Sequence, residues 1–183
     1  LLALRGRGRW ACLMPLLFLA AFEARAVPPQ VCPLFDSGAS SSSQPQFDEL
    51  FPGDLDGDGD MDILGMGDSG LRMVLNRGNG VWGAPIGIPG GGTYRRMAPA
   101  DFNGDGTLDI ALSDSNSTAV AILYNRGAAE FSPSTPVDAG SKTGGIGAAD
   151  MDGDSTTDIV VFNSGLGTVS VLLNRGRERF DPP

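Results

Sequence analysis

From residue 47 onward, short apolar runs alternate with acidic, Gly-rich or Pro-rich punctuation, and no stretch carries a long helical pattern of polar and apolar positions. Such a rhythm predicts many short strands joined by tight turns. The runs fall into sets of four. First strands are predicted at Phe47–Phe51, Arg95–Ala100 and Gly144–Ala149, and second strands at Ile63-Leu64, Ile110–Leu112 and Ile159–Phe162. Third strands follow at Leu71–Leu75, Ala119–Tyr124 and Thr168–Leu173, where Thr168-Val-Ser-Val171 alternates with the strand period of two. A fourth strand starts near an aromatic and ends at a Gly/Pro linker, at Gly87–Gly92 and Ala139–Gly145.

Between the third and fourth strands, Asn-Arg-Gly recurs at 76–78, 125–127 and 174–176, a spacing of 49 residues each time. Asn and Gly tolerate the positive φ of a hairpin turn. An aromatic follows each turn (Trp82, Phe131, Phe180), and then a proline (Pro85, Pro133, Pro182). Four antiparallel strands per unit of 40 to 50 residues describe a β-propeller blade. A β-sandwich also has short strands but does not need a strict repeat. The fold class is therefore all-β, with three propeller blades at about residues 46–91, 92–141 and 142–183. Propeller rings hold four to eight blades, so three are expected to form an incomplete or open propeller, belonging to a truncated product or a longer chain.

The chemistry-bearing positions lie between first and second strands. Asp54, Asp56, Asp58, Asp60 and Asp62 put five carboxylates at alternate positions. The pattern returns as Asp101, Asn103, Asp105, Thr107 and Asp109, and again as Asp150, Asp152, Asp154, Thr156 and Asp158. Carboxylates this close repel one another unless a cation sits among them. Hard oxygen ligands in this number suit Ca²⁺, which accepts six to eight of them. An EF-hand would need a bidentate Glu at position 12, where this chain has Gly65, Leu112 and Val161.

The loop pattern Asp-x-[Asp/Asn]-Gly-Asp-Gly-x-x-Asp-[Ile/Leu], followed by an Asn-x-Gly turn and an aromatic, resembles the FG-GAP/VCBS repeat, the blade of integrin α-subunit propellers. The resemblance covers about residues 46–183. It implies a propeller with calcium in the hairpin loop between the first two strands of a blade. Side chains at positions 1, 3, 5 and 9 would then ligate, and position 7 (Asp60, Thr107, Thr156) would lend its backbone carbonyl. Up to three Ca²⁺ are expected. Gly fills position 6 in the first two loops, but the third has Ser155, which predicts weaker binding there if that position needs positive φ.

Charge and composition narrow the function. The net charge is −9, and without the first 26 residues it is −12, with 12 of the 21 remaining acids in the three loops. Three Ca²⁺ would bring −12 to −6. The acidity is local and cation-directed, and it argues against nucleic acid as a partner. The chain has no histidine, which excludes His-dependent triads and His-ligated zinc. A metal held by four side chains and a carbonyl leaves little room for substrate, so the calcium is read as structural and no enzymatic activity is expected. Arg77, Arg126 and Arg175 are read as solvated turn residues.

Arg5, Arg7 and Arg9, an apolar run from Trp10 to Phe22 and Ala24-Arg-Ala26 together fit a secretory signal peptide cleaved after Ala26. The run is short for a membrane span and Pro15 interrupts it, so no stable span is expected after cleavage. Residues 27–45 read as a flexible Ser/Pro-rich leader, in which Cys32 would be the only thiol of the mature chain. The expected function is a secreted, extracellular or cell-surface calcium-binding module for adhesion or ligand binding, with an extracellular protein or glycan as partner. The alternatives are a non-catalytic accessory region of a larger secreted hydrolase or lyase, and a lectin-like glycan binder. For the last, Trp82 and Tyr94 are the few aromatic candidates, and they do not recur in register.

Overall fold

The computed structural model describes residues 47–90 and 94–183. The expected signal peptide, the Ser/Pro leader and Cys32 lie outside the described residues. Among the described residues, thirteen strands form three antiparallel sheets. The first sheet runs β1 (Phe47–Gly53), β2 (Asp62–Gly67), β3 (Gly70–Val74) and β4 (Ile86–Gly87), each paired with the next. The second contains β5 (Arg96–Ala100), β6 (Asp109–Ser113), β7 (Ala119–Asn125) and β8 (Phe131–Pro133), and β9 (Val137–Asp138) also pairs with β7. The third is β10 (Thr143–Ala149), β11 (Asp158–Asn163), β12 (Thr168–Asn174) and β13 (Phe180–Asp181). Each is a simple meander, as a propeller blade requires. None closes into a barrel.

First, second and third strands fall where the apolar runs place them. The fourth strands lie between the aromatic and the Gly/Pro linker, as expected, but are short. Ile86-Gly87 ends where the linker at 87–92 begins. In the second sheet the stretch from Phe131 to the linker at 139–145 is split into Phe131–Pro133 and Val137–Asp138, while Thr143 already opens the third sheet by pairing with Asn163. The register shift between Thr143 and Ile146 shows why: Gly144-Gly145 forms a bulge within a first strand. In sequence the same glycines look like the end of a fourth.

Two apolar cores lie between the three sheets. Leu64, Met66, Leu71 and Met73 of the first sheet pack with Met97, Ile110, Leu112, Ala121 and Leu123 of the second. On its other face the second sheet offers Ala98, Ala111, Val120, Ile122 and Tyr124 to Ile159, Val161 and Leu172 of the third. The middle sheet is thus buried on both faces, and β6 and β7 read as continuous apolar runs for that reason. Large apolar side chains stay exposed on the two outer faces: Leu50 in the first sheet, Phe162 and Val169 in the third.

Candidate metal centre

Each acidic loop leaves a first strand and returns as a second, and its own side chains wind it. Asp54 accepts from the amides of Gly57 (2.7 Å) and Gly59 (3.0 Å). Asp101 does the same with Gly104 and Gly106, and Asp150 with Gly153 and Ser155. Position 3 then takes the amide of position 5, and position 5 that of position 7, in all three loops. This tight winding needs left-handed backbone at position 6: φ is 90° at Gly59, 85° at Gly106 and 69° at Ser155. The serine therefore carries the strain that the sequence predicts for it.

The carboxylates converge to different degrees. Asp54, Asp56 and Asp58 bring ligand oxygens within 4.8 Å of one another, and so do Asp150, Asp152 and Asp158. Loop two gathers no such acidic triad; Asn103 replaces one carboxylate and donates its amide to Asp105 at 2.9 Å. Thr107 and Thr156 donate their hydroxyls to Asp105 and Asp154 at 2.6 Å, and these hydrogen bonds are the chief reason both carboxyls sit below their ordinary range. Asp60 lies beside the Asn-Arg-Gly turn, where a Cβ on Gly78 would come within 2.9 Å of its carboxylate.

Position 9 serves the fold as well as the loop. Asp62, Asp109 and Asp158 are fully buried. One oxygen of each accepts the amide of position 2 (Leu55, Phe102, Met151). The other accepts the amide of the Asn that ends the third strand (Asn76, Asn125, Asn174). Burial pushes the Asp109 carboxyl up to about 6, against the lowering effect of those two amides, and burial raises Asp62 in the same way. A cation beside these groups would relieve that cost.

The donor set passes the chemical test for a hard divalent cation. Two triads offer carboxylate oxygens within one ion's reach, with no soft ligand among them. In loop three Arg175 competes for the same oxygens: its guanidinium is 3.1 Å from Asp152 and 4.0 Å from Asp154, and its Nε donates to Asp181. Arg126 pairs with Glu178 on the next hairpin at 2.6 Å and lies 5.2 Å from the Tyr124 ring centre. Both arginines are exposed, yet each has a defined partner, which the reading as solvated turns does not provide.

Sequence reasoning missed the residues that join one loop to the next sheet. Asn125 donates its side-chain amide to the Leu55 carbonyl at 2.8 Å, and Asn174 donates to the Phe102 carbonyl at 2.7 Å. Each Asn carbonyl also accepts the amide of the turn Gly two residues on. Leu55 and Phe102, at position 2 of their loops, are 1% exposed because they insert into the core shared with the following sheet. Phe102 meets Phe180 edge-on at 6.1 Å. The signal was present in the apolar residue at position 2 of every loop and in an Asn that a turn alone does not require.

Comparison with known proteins agrees with this architecture. The FG-GAP-like repeat profile matches residues 54–112 and 101–161. No curated protein matches. Among solved structures, the chain is similar to an Agrocybe aegerita lectin described for specific recognition of non-reducing terminal N-acetylglucosamine, at 26% identity and a TM-score of 0.56. The match covers 73% of this chain and 36% of that one, so the chain spans about a third of the lectin's length. With repeated acidic loops, meander sheets and a matching profile over more than half its residues, the chain belongs to the FG-GAP-like repeat family.

Proposed function

We propose that this chain is a secreted, calcium-stabilised propeller module that binds a glycan, and that it acts by binding rather than by catalysis. The likeness to a lectin for terminal N-acetylglucosamine carries the glycan reading. The calcium reading rests on the acidic triads, with Asp54, Asp56 and Asp58 in loop one and Asp150, Asp152 and Asp158 in loop three as ligands. Asp101, Asn103, Asp105 and Asp109 would serve loop two with one charge fewer than the other loops can offer. Bound calcium would neutralise charge that the folded loops hold together, and so clamp each hairpin. The arginine-led apolar stretch before Ala26 supports secretion.

A glycan array probed with the chain in calcium and in chelator tests this reading. Retention on N-acetylglucosamine-terminated glycans, lost in chelator, is the expected result. A calcium-loaded, folded chain that is retained on no glycan would overturn the binding reading. Calorimetry that registers no calcium uptake by the folded chain would overturn the metal reading independently.

A further inference from the structure

Of the seven asparagines in the chain, Asn116 is the one followed two positions on by a hydroxyl residue, as Asn116-Ser117-Thr118. The other six have glycine, valine or aspartate at that position. Asn-x-Ser/Thr, with x other than proline, is the acceptor sequence for asparagine-linked glycosylation. It is used in chains that enter the secretory pathway, and the modified asparagine belongs on a surface loop because the product is bulky and hydrophilic.

The three residues lie in the turn between β6 and β7, at the opposite end of β6 from loop two. Asp114 winds this turn. Its carbonyl accepts the Ser117 amide at 2.9 Å, and its carboxylate accepts the Asn116 amide at 3.1 Å. The backbone is pinned from the other side as well: the Ser117 carbonyl accepts the Thr143 amide at 2.9 Å and the Thr118 carbonyl accepts the Ala139 amide at 2.8 Å. The side chains point out of this frame. Asn116 and Thr118 are both exposed, and the contact of the Asn116 Nδ2 with the Asp114 carboxylate is long, 3.4 Å. A substituent on Nδ2 would extend into solvent and leave the backbone bonds of the turn intact.

The corresponding turn of the third sheet makes the contrast. Asn163-Ser164-Gly165 lacks the hydroxyl, and Asn163 is 3% exposed. Its Nδ2 donates to Ser170 at 2.7 Å and to Thr168 at 3.3 Å, so a sugar on that nitrogen would break a buried network. Asn125 and Asn174, also buried, are followed by Arg-Gly. The acceptor sequence thus falls on an exposed asparagine and is missing from the buried ones.

We propose that Asn116 carries an asparagine-linked glycan, an inference that rests on the secretion reading above. In the transfer, Asn116 Nδ2 bonds to the anomeric carbon of the first sugar of a lipid-linked oligosaccharide. The bond from that carbon to the lipid pyrophosphate oxygen breaks, the pyrophosphate leaves with the electron pair, and Nδ2 gives up one proton. Next to the acceptor, Ser115 lines a groove with Asp48, Arg95 and Arg96. The glycan therefore stands over this end of the second sheet and leaves the acidic loops at the other end uncovered.

Expression of the full chain in a eukaryotic secretory host, once behind its own leader and once behind an unrelated cleavable leader, tests the proposal. The secreted chain is expected to lose mass on treatment with peptide N-glycosidase, which converts a glycosylated asparagine to aspartate, and peptide mass spectrometry should find that conversion at position 116. Asn116→Gln and Thr118→Ala should each abolish the mass change, and Thr118→Ser, which keeps the hydroxyl, should retain it. A chain secreted without a glycan on Asn116, or a mass change that survives both Asn116→Gln and Thr118→Ala, would overturn the proposal. A chain retained with its own leader uncleaved, but secreted and glycosylated at Asn116 behind the unrelated leader, would overturn the secretion reading and support the acceptor site.

Discussion

Replacing Asn125 with alanine tests how much of the fold depends on contacts between sheets. Its side chain is fully buried, and two hydrogen bonds end on it: the amide donates to the Leu55 carbonyl at 2.8 Å, and the carbonyl accepts the Gly127 amide at 3.0 Å. Alanine leaves both partners without a bond in a site that water enters poorly. Each orphaned group costs about 1–3 kcal/mol, so the expected loss is about 2–6 kcal/mol. Asn76→Ala supplies the control within the same protein. That residue makes the equivalent turn bond, but its amide donates at 3.2 Å to an exposed carbonyl of its own loop. Water can replace that partner, and the expected cost is about 1 kcal/mol. Urea unfolding followed by strand-type circular dichroism, in chelator, measures both. Asn125→Asp is a third point: it keeps the acceptor for Gly127, removes the donor and sets a carboxylate against the Leu55 carbonyl, so it should be at least as damaging as alanine. Equal midpoints for Asn125→Ala and Asn76→Ala would refute the view that this bond between sheets holds the stack together.

Four further outcomes follow from the loops. Ser155→Gly removes a side chain from left-handed backbone and should stabilise the metal-free chain by about 0.5–1 kcal/mol while tightening loop three for calcium; a variant with an unchanged thermal midpoint and unchanged calorimetric affinity would contradict this. Arg175→Gln removes a positive charge 3.1 Å from Asp152 and should raise the calcium affinity of loop three severalfold, an effect that salt should shrink. Without metal, Asp109 ionises at about 6 in the fold but near the ordinary carboxylate value when unfolded, so its contribution to stability falls as pH rises from 4 through 6. The difference in stability between parent and Asp109→Asn in chelator should therefore favour the parent more at pH 5 than at pH 7, by about 1–2 kcal/mol, and a flat difference would count against a carboxyl raised by burial. Chelation of the calcium-loaded chain should lower its thermal midpoint, and calorimetry resolves how many loops contribute.

Strand positions were legible where the repeat constrains them three times over. Ile63, Ile110 and Ile159 each follow a loop's last aspartate, and each is the first apolar residue of a second strand, as expected. The bounds of the fourth strands were less legible because two or three residues of edge pairing leave little pattern, and because Gly144-Gly145 reads equally well as a linker or as a bulge. In the loops, sequence showed which residues are acidic but not which of their oxygens are already occupied. Asp62 and Asp158 occupy the same register, yet only Asp158 joins its loop's acidic triad. Asn125 was read as a turn former because its turn partner is two residues away. The carbonyl that accounts for its burial lies 70 residues back in the chain, where local pattern carries no trace of it.

That separation has a temporal side. The amide that holds the Leu55 carbonyl is made 70 residues after it, and the one that holds Phe102 comes 72 residues after its partner. At ribosomal rates of about 5–20 residues per second, each loop waits roughly 4–14 s for the side chain that secures it. A nascent chain consequently carries one finished but unsecured blade at its growing end throughout synthesis. Folding order is imposed from the N-terminus, and the exposed apolar residue at position 2 of the newest loop is where a trailing chain on the same message can mispair.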